Sequence, residues 1–370
     1  MKERSVAFRV DANPDIGIGH LRRCLTLARE LQKENCLSHL ICRLSLGLSL
    51  EAHVQPFSLH WLKGLAQTSD TDLSDELRDA DASLDIIRAL PAAPSWVVLD
   101  SYRYACAWEK RVRDAGYQVL VIEDYRDRKH HADLLVSDSE VPVNPASNSL
   151  AVGRILAGRA YALLDTEYAY TGPTQLKATD RKRLLISYGG ADLTKETAKA
   201  LEAVCKLRSD PEMSSQVGRV DVVVGPANPH SVAILRSARR VAEVFVHQSL
   251  YSLAPLMRHA DLVLTSGGNT MVEALALRKP CIVTVTGKNQ TLMVNDLDSE
   301  GVIRSMGEEV TVNPGEVLAM MRLVLNDFDA FASRIASKSV FDHFGAKRIV
   351  SAMLELSGDR PLREASGAHE

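Results

Sequence analysis

Strand-length apolar runs alternate with amphipathic helical stretches along almost the whole chain, and no other feature constrains the fold as strongly. In the first half, strands are expected at 6–10, 37–42, 96–99, 119–122 and 134–136, with helices at 22–31, 77–90 and 108–114. In the second half, strands are expected at 184–187, 220–224, 243–246, 262–265 and 282–285, with helices at 195–207, 250–259, 270–277 and 291–300. Such alternation builds parallel sheets with helices on both faces. A chain of 370 residues is expected to divide into two such domains. The pattern breaks near Thr171-Gly172-Pro173-Thr174 and the charged run 177–183, which read as a linker. The expected division is residues 1–172, then 173–340, then a helix at 341–357 that crosses back to the first domain, then a polar disordered tail at 358–370. Open parallel sheets bind ligands at the C-terminal edges of their strands, so the two domains should face each other across a cleft.

The turns that follow the strands carry the chemistry. Residues 16–23 read Ile-Gly-Ile-Gly-His-Leu-Arg-Arg, directly after the first strand. Gly17 and Gly19 permit a tight turn and close backbone approach by a ligand. The helix that follows begins with His20, beside N–H groups that have no partner within the helix. In the second half, Tyr188-Gly189-Gly190 and Ser266-Gly267-Gly268-Asn269-Thr270 each end a strand. The second of these opens a helix whose N-terminus can receive a diphosphate, helped by the Ser266 and Thr270 hydroxyls. Glu273, one turn on, can accept hydrogen bonds from vicinal ribose hydroxyls or serve only as a first-turn acid favoured by the helix dipole. Gly287-Lys288-Asn289-Gln290 brings a lysine and two amides to the same edge. Val224-Gly225-Pro226 reads as a structural turn.

Several classes are disfavoured. A net charge of -3 leaves no electrostatic footprint for nucleic acid. No apolar run approaches the roughly 20 residues that cross a bilayer. Met1 to Arg4 leads straight into the first strand, so no signal peptide is expected. The six cysteines, at 24, 36, 42, 106, 205 and 281, form no CxxC pair and are read as buried reduced thiols of a cytoplasmic protein. His130-His131 lacks metal-motif spacing and is read as a solvated loop, so neither metal nor cofactor is expected. There is no Walker pattern, no Gly-x-Ser-x-Gly elbow and no third glycine after Gly17-Ile18-Gly19, where Arg22 stands instead. Nothing points to a coiled coil, and a monomer is the default.

Together these residues resemble the UDP-sugar hydrolases of pseudaminic acid biosynthesis, related to spore coat polysaccharide biosynthesis proteins and similar to the lipid-intermediate glycosyltransferase of peptidoglycan synthesis. The resemblance runs from about Arg4 to Gly301. Its motifs are Phe8-Arg9-Val10-Asp11, Ile16 to His20 with Arg23, Val98-Leu99-Asp100-Ser101-Tyr102, and Trp108-Glu109. Val121-Ile122-Glu123-Asp124, Asp127-Arg128, Tyr161-Ala162-Leu163-Leu164 and the second-half glycine loops complete it. The resemblance implies an α/β chain of two Rossmann-like domains facing across a cleft, the glycosyltransferase-B-type fold. It implies metal-independent hydrolysis of UDP-2,4-diacetamido-2,4,6-trideoxy-L-altropyranose to UDP and free sugar, with inversion. His20 carries over as the residue that positions or deprotonates water. Tyr102 carries over as a second active-site residue, and Asp11 is a third candidate whose alternative is a turn cap. Backbone N–H groups at Gly268 and Asn269 are candidates to stabilise departing UDP. Arg23 is a further candidate, although an arginine on a helix face is ordinarily solvated. Asn289 and Gln290 carry over as contacts to sugar or phosphates. Asp165 departs from the family, which has arginine there.

Two rival readings remain open at this level. One is a glycosyltransferase with a sugar or lipid acceptor, for which the apolar stretch 44–65 would have to face a membrane rather than a core. The other is a non-catalytic nucleotide-sugar-binding protein of polysaccharide assembly, in which His20 would have no task.

Overall fold

A computed structural model describes residues 4–12, 18–43, 54–62, 73–124, 128–139, 152–172, 181–248 and 250–358. The first domain is a seven-stranded parallel sheet in the order β3-β2-β1-β4-β5-β6-β7. Its strands are β1 (Arg4–Val10), β2 (Cys36–Arg43), β3 (Ser58–Leu62), β4 (Trp96–Asp100), β5 (Gln118–Ile122), β6 (Leu134–Ser137) and β7 (Arg154–Ala157). Its helices are α1 (Gly19–Lys33), α2 (Leu73–Arg88) and α3 (Cys106–Asp114).

The second domain is a six-stranded parallel sheet in the order β10-β9-β8-β11-β12-β13. Its strands are β8 (Lys182–Ser187), β9 (Val217–Val224), β10 (Val244–Gln248), β11 (Leu262–Ser266), β12 (Cys281–Val285) and β13 (Arg304–Glu308). Its helices are α4 (Glu196–Arg208), α5 (Pro211–Gln216), α6 (Ser231–Ala238), α7 (Ala254–His259), α8 (Asn269–Ala276), α9 (Thr291–Ser299), α10 (Pro314–Asn326) and α11 (Phe328–Ala336). A last helix, α12 (Gly345–Gly358), follows.

Each sheet is buried on both faces, which is why its central strands read as continuous apolar runs. In the first domain, Phe8, Leu40, Val98 and Leu120 point to one face, against α1 and α12. Ala7, Ile41, Val97 and Val119 point to the other, against α2 and α3. The second domain repeats this, with Ile186 and Val222 facing α4 and α10, and Leu185 and Val263 facing α8 and α9. The strands found beyond the sequence reading are β3, β7 and β13, all at sheet edges. An edge strand needs less apolar sequence, and β13 reads Arg-Ser-Met-Gly-Glu.

Helix α12 packs on the first domain, with Ile349 and Met353 in the same core as α1. Trp96 donates from Nε1 to Ser357 Oγ at 2.9 Å. Gly345 lies on the backbone of the outgoing crossover, so close that a Cβ would sit 2.1 Å from the Ala162 carbonyl oxygen. Arg348 donates to the Ala160 carbonyl and pairs with Asp342, both at 2.7 Å. Truncating Ile349 to alanine would cost about 2–5 kcal/mol.

In each sheet the strand order reverses at one point, between β1 and β4 and between β8 and β11. Such switch points open crevices at the carboxyl ends of the strands. The turns carrying His20, Tyr102, Tyr188 and Asn269 all leave these strands. Gly17, the 44–53 and 63–65 parts of the apolar stretch, the 173–180 part of the expected linker and residues 359–370 lie outside the described residues.

Candidate active site

The first-domain half of the site is built around one carboxylate. Asp100 ends β4 and is buried. Its Oδ1 pairs with His20 Nδ1. Arg23, one turn along α1 from His20, donates Nε to Asp100 Oδ2 and Nη2 to Oδ1, each at 2.6 Å. Nη1 of Arg23 reaches Asp124 Oδ1, just past β5, at 2.7 Å. Burial alone would raise the Asp100 carboxyl, but Arg23 and His20 outweigh it and hold it well below the usual carboxylate range. A carboxylate only accepts, so it fixes the proton of His20 on Nδ1 and leaves Nε2 as the acceptor. With Nδ1 directed inward, the Nε2 edge is turned to the cavity that His20 lines.

Tyr102 stands beside this pair. Its ring meets the His20 imidazole edge to face, with centroids 4.4 Å apart. Its hydroxyl donates to Asp124 Oδ2 at 2.5 Å and accepts from Asn289 Nδ2, in the second domain, at 3.1 Å. Burial and the Asp124 charge push the phenol far up, so it acts as a neutral hydrogen-bonding group.

The second-domain half is a helix N-terminus. Gly268 leads from β11 into α8 with no side-chain cap, leaving the N–H groups of Asn269 and Thr270 without a partner within the helix. Gly267 has no room for a side chain, because a Cβ would lie 2.4 Å from Val294 Cγ2. The Gln290 amide oxygen accepts from the backbone N–H of Gly267 at 3.1 Å and of Thr286 at 2.9 Å. It thus ties two loops together, and its oxygen faces backbone rather than a ligand. Asn269 reaches across the cleft to the Gly19 carbonyl at 3.4 Å.

These two halves enclose a cavity of about 390 Å³ that brings together Gly19, His20, Arg23, Tyr102, Asp124, Tyr188, Gly267, Gly268, Asn269, Asn289 and Gln290. A second cavity of about 250 Å³ adjoins it, sharing Arg23, Asp138, Asn269 and Val272. Glu273 lines the second cavity with Arg22, Arg29, Asp165, Glu167, Tyr168 and Tyr251. It is 8% exposed, and burial raises its carboxyl to about 7. Its Oε2 and the Tyr168 hydroxyl are buried without a hydrogen-bond partner. A buried carboxyl oxygen of this kind calls for a donor.

Several expectations change. Asp11 is not at the cavity, because Arg9 holds both its oxygens at 2.6 and 2.8 Å and the Arg43 N–H donates to it at 2.9 Å. Arg23 is buried rather than solvated, since two carboxylates neutralise it. His130 is not in a solvated loop: it is 1% exposed and lies between Glu109 at 2.7 Å and Glu123 at 2.8 Å. Cys106 and Cys205 are half-buried, the other four cysteines are buried, and all six are free. Gly189, Gly190 and Thr270 line neither cavity. Gly189 adopts a φ of 80°, and a Cβ on Gly225 would lie 2.2 Å from the Gly190 carbonyl oxygen, so these glycines pack the turns against each other. Asp165 pairs with Arg29 and caps the short turn Thr166–Tyr168. Asp100 and Asp124 belong to the quoted motifs without being among the candidate site residues; an acid ending the apolar strand β4 and an acid two residues past β5 are their signals.

Among the described residues, no group of three or more His, Cys, Asp or Glu is placed to hold a metal ion, and no helix is long and apolar enough to cross a membrane.

No protein-family model matches the chain. An uncharacterised protein of Methanocaldococcus jannaschii is 23% identical over 301 residues, which is 79% of this chain and 57% of that protein. A distant homologue, the spore coat polysaccharide biosynthesis protein SpsG of Bacillus subtilis, is 22% identical over 204 residues, 55% of this chain and 59% of that protein. The chain thus spans less than two thirds of the length of these curated relatives. Among solved structures, MurG of Acinetobacter baumannii superposes with a TM-score of 0.64 at 14% identity, covering 95% of this chain and 99% of that one. A UDP-N-acetylglucosamine 2-epimerase homologue of Listeria monocytogenes gives 0.62 at 16% identity, covering 98% of each chain. The fold is of the glycosyltransferase-B type, two parallel-sheet α/β domains across a cleft.

Proposed function

We propose that the chain is a UDP-sugar hydrolase of nonulosonic acid biosynthesis, acting on a UDP-linked diacetamido-trideoxy sugar. One observation carries this reading. An imidazole oriented by a buried carboxylate faces an uncapped helix N-terminus across a single cavity. A general base and an anion site belong on opposite sides of a carbon whose leaving group is a diphosphate. The names of the structural neighbours, which include a UDP-N-acetylglucosamine epimerase, agree with a nucleotide-sugar substrate.

In the proposed reaction, water attacks the anomeric carbon from the side of His20. The imidazole Nε2 takes a water proton while the bond from the anomeric carbon to the β-phosphate oxygen breaks. The hydroxyl stays on the sugar with inverted configuration, and UDP leaves carrying the negative charge. Backbone N–H groups of Gly268 and Asn269 stabilise that charge. Asp100 keeps the base in its accepting tautomer and stabilises the imidazolium that forms. Tyr102 and Asn289 orient the sugar. Glu273, in the adjoining cavity, accepts from the ribose hydroxyls, which would supply the donors its oxygen lacks. The free thiols suit a reducing compartment such as the cytoplasm.

The test is incubation of the purified protein with UDP-2,4-diacetamido-2,4,6-trideoxy-L-altropyranose and no acceptor. UDP and free sugar should appear together, with the anomeric configuration inverted when followed by proton NMR. Absence of UDP across a panel of UDP-amino sugars, with turnover restored by an added sugar or lipid acceptor, would replace hydrolysis by glycosyl transfer.

A further inference from the structure

The loop that presents Tyr102 runs from Ser101 to Ala105 and is held by a side chain from another loop. Arg128 follows β5 and donates to three carbonyls of the Tyr102 loop. Nη2 reaches Ser101 at 3.0 Å, and Nη1 reaches Tyr102 at 3.1 Å and Tyr104 at 3.3 Å. Its Nε donates to Glu123 Oε2 at 2.8 Å. Glu123 is buried, and the same oxygen lies 2.8 Å from His130 Nε2. His130 pairs through Nδ1 with Glu109 on α3 at 2.7 Å. Two cations thus alternate with two carboxylates in a line of buried and half-buried groups. Although burial disfavours its charge, the two glutamates raise His130 to about 9, so the line is neutral as a whole near pH 7.

We propose that Arg128, seated on Glu123 and His130, is a positioning residue that sets the Tyr102 hydroxyl between Asp124 and Asn289 and thereby fixes its ring against His20. The proposal rests on the reading of the cleft as the reacting site. Only a guanidinium has the planar fork to serve one carboxylate and three carbonyls at once. A lysine keeps the charge and can meet one or two of them. The carbonyls flanking Tyr102 would then lose their anchor, and the phenol would swing on an unbraced loop. Misplacement by about 1 Å of a group that orients reactants costs up to about 10²-fold in rate.

The experiment compares the full chain with Arg128→Lys and Arg128→Ala by three measurements. These are UDP release from the diacetamido sugar nucleotide, UDP affinity by calorimetry, and backbone hydrogen exchange by mass spectrometry. Both variants should lose about tenfold or more in kcat with KM and UDP affinity nearly unchanged. Exchange should rise in the peptide spanning residues 101–105 and stay the same in α8 and β11. Wild-type kcat in Arg128→Lys would overturn the proposal, because charge alone would then suffice. Faster exchange throughout the first domain, or lost UDP affinity, would also overturn it in favour of a general structural role. If the wild type releases no UDP, the hydrolase reading falls, and the exchange data in Arg128→Lys still decide whether Arg128 braces the loop.

Discussion

Replacing Asp100 by asparagine tests the centre of the site with almost no change of shape. The carboxylate accepts from His20 Nδ1 and from two Arg23 nitrogens at 2.6 Å. An asparagine can keep the Arg23 Nε bond only by placing its amide oxygen at the Oδ2 position. Its NH2 group then occupies the Oδ1 position, where it faces the imidazole and the second Arg23 nitrogen. Nδ1 must become an acceptor, the His20 proton moves to Nε2, and the base is lost. Arg23 meanwhile retains Asp124 as its charged partner. Breaking a buried ion pair from one side costs about 3–5 kcal/mol. For a domain of this size that is a melting-temperature loss of roughly 10 °C. Loss of general-base catalysis lowers kcat by about 10²–10⁴-fold. The proposed UDP contacts lie in the other domain, so UDP affinity should change by no more than about twofold. Scanning calorimetry with and without UDP, beside initial rates of UDP release, separates these effects. A variant that melts early yet keeps kcat within about tenfold of the wild type would refute the orienting role and leave Asp100 as a purely structural anchor.

Further outcomes can be checked the same way. His20→Asn should lower kcat by about 10²-fold or more and leave UDP titrations nearly unchanged; wild-type turnover would remove His20 from the mechanism. Glu273 has its carboxyl raised to about 7 from an ordinary 4.5, so its burial is harmless below pH 4.5 and costs stability progressively as pH rises from 4.5 to 7. Glu273→Gln should therefore match the wild type at pH 4 and melt higher at pH 8, by on the order of 3 kcal/mol, while binding UDP more weakly. His130 shows a raised histidine value of about 9, so its contribution is present below about 6.5 and lost as pH rises through 9. His130→Gln should flatten stability between pH 7 and pH 10, as read by urea midpoints. Gly225→Ala forces a Cβ to within 2.2 Å of the Gly190 carbonyl oxygen, and it should destabilise the second domain by about 1–3 kcal/mol and displace the Tyr188 turn.

The parallel-sheet plan was legible because a strand buried on both faces must be apolar throughout, as in Trp96-Val97-Val98-Leu99. The edge strands escaped for the converse reason. Ser58–Leu62 carries two polar residues, one of them a histidine, and needs only one strand partner. The strand-to-helix turns were legible as glycine and histidine punctuation, and the structure brings His20, Gly267, Gly268 and Asn269 together around one cavity. Their supports were not. Nothing local in Arg23 says that an acid ending β4, 77 residues away, and an acid just past β5, 101 residues away, will both be aimed at it. The partners of Asp11 are equally hidden in the linear sequence, since Arg9 and Arg43 reach it from the preceding strand β1 and from β2. A linear pattern reports what a residue is, while its charge partner is set by sheet order.

Helix α12 makes the first domain discontinuous in the chain. Ile349, Val350 and Met353 belong to the core shared with Phe8 and Val98. During synthesis the first sheet leaves the ribosome with one face only partly covered, by α1. The whole second domain is completed before α12, which covers the rest of that face, emerges. The domain made first therefore closes last, and its exposed face depends on the second domain folding quickly. A mutation that slows folding of the second domain should thus appear in the cell as aggregation of the first.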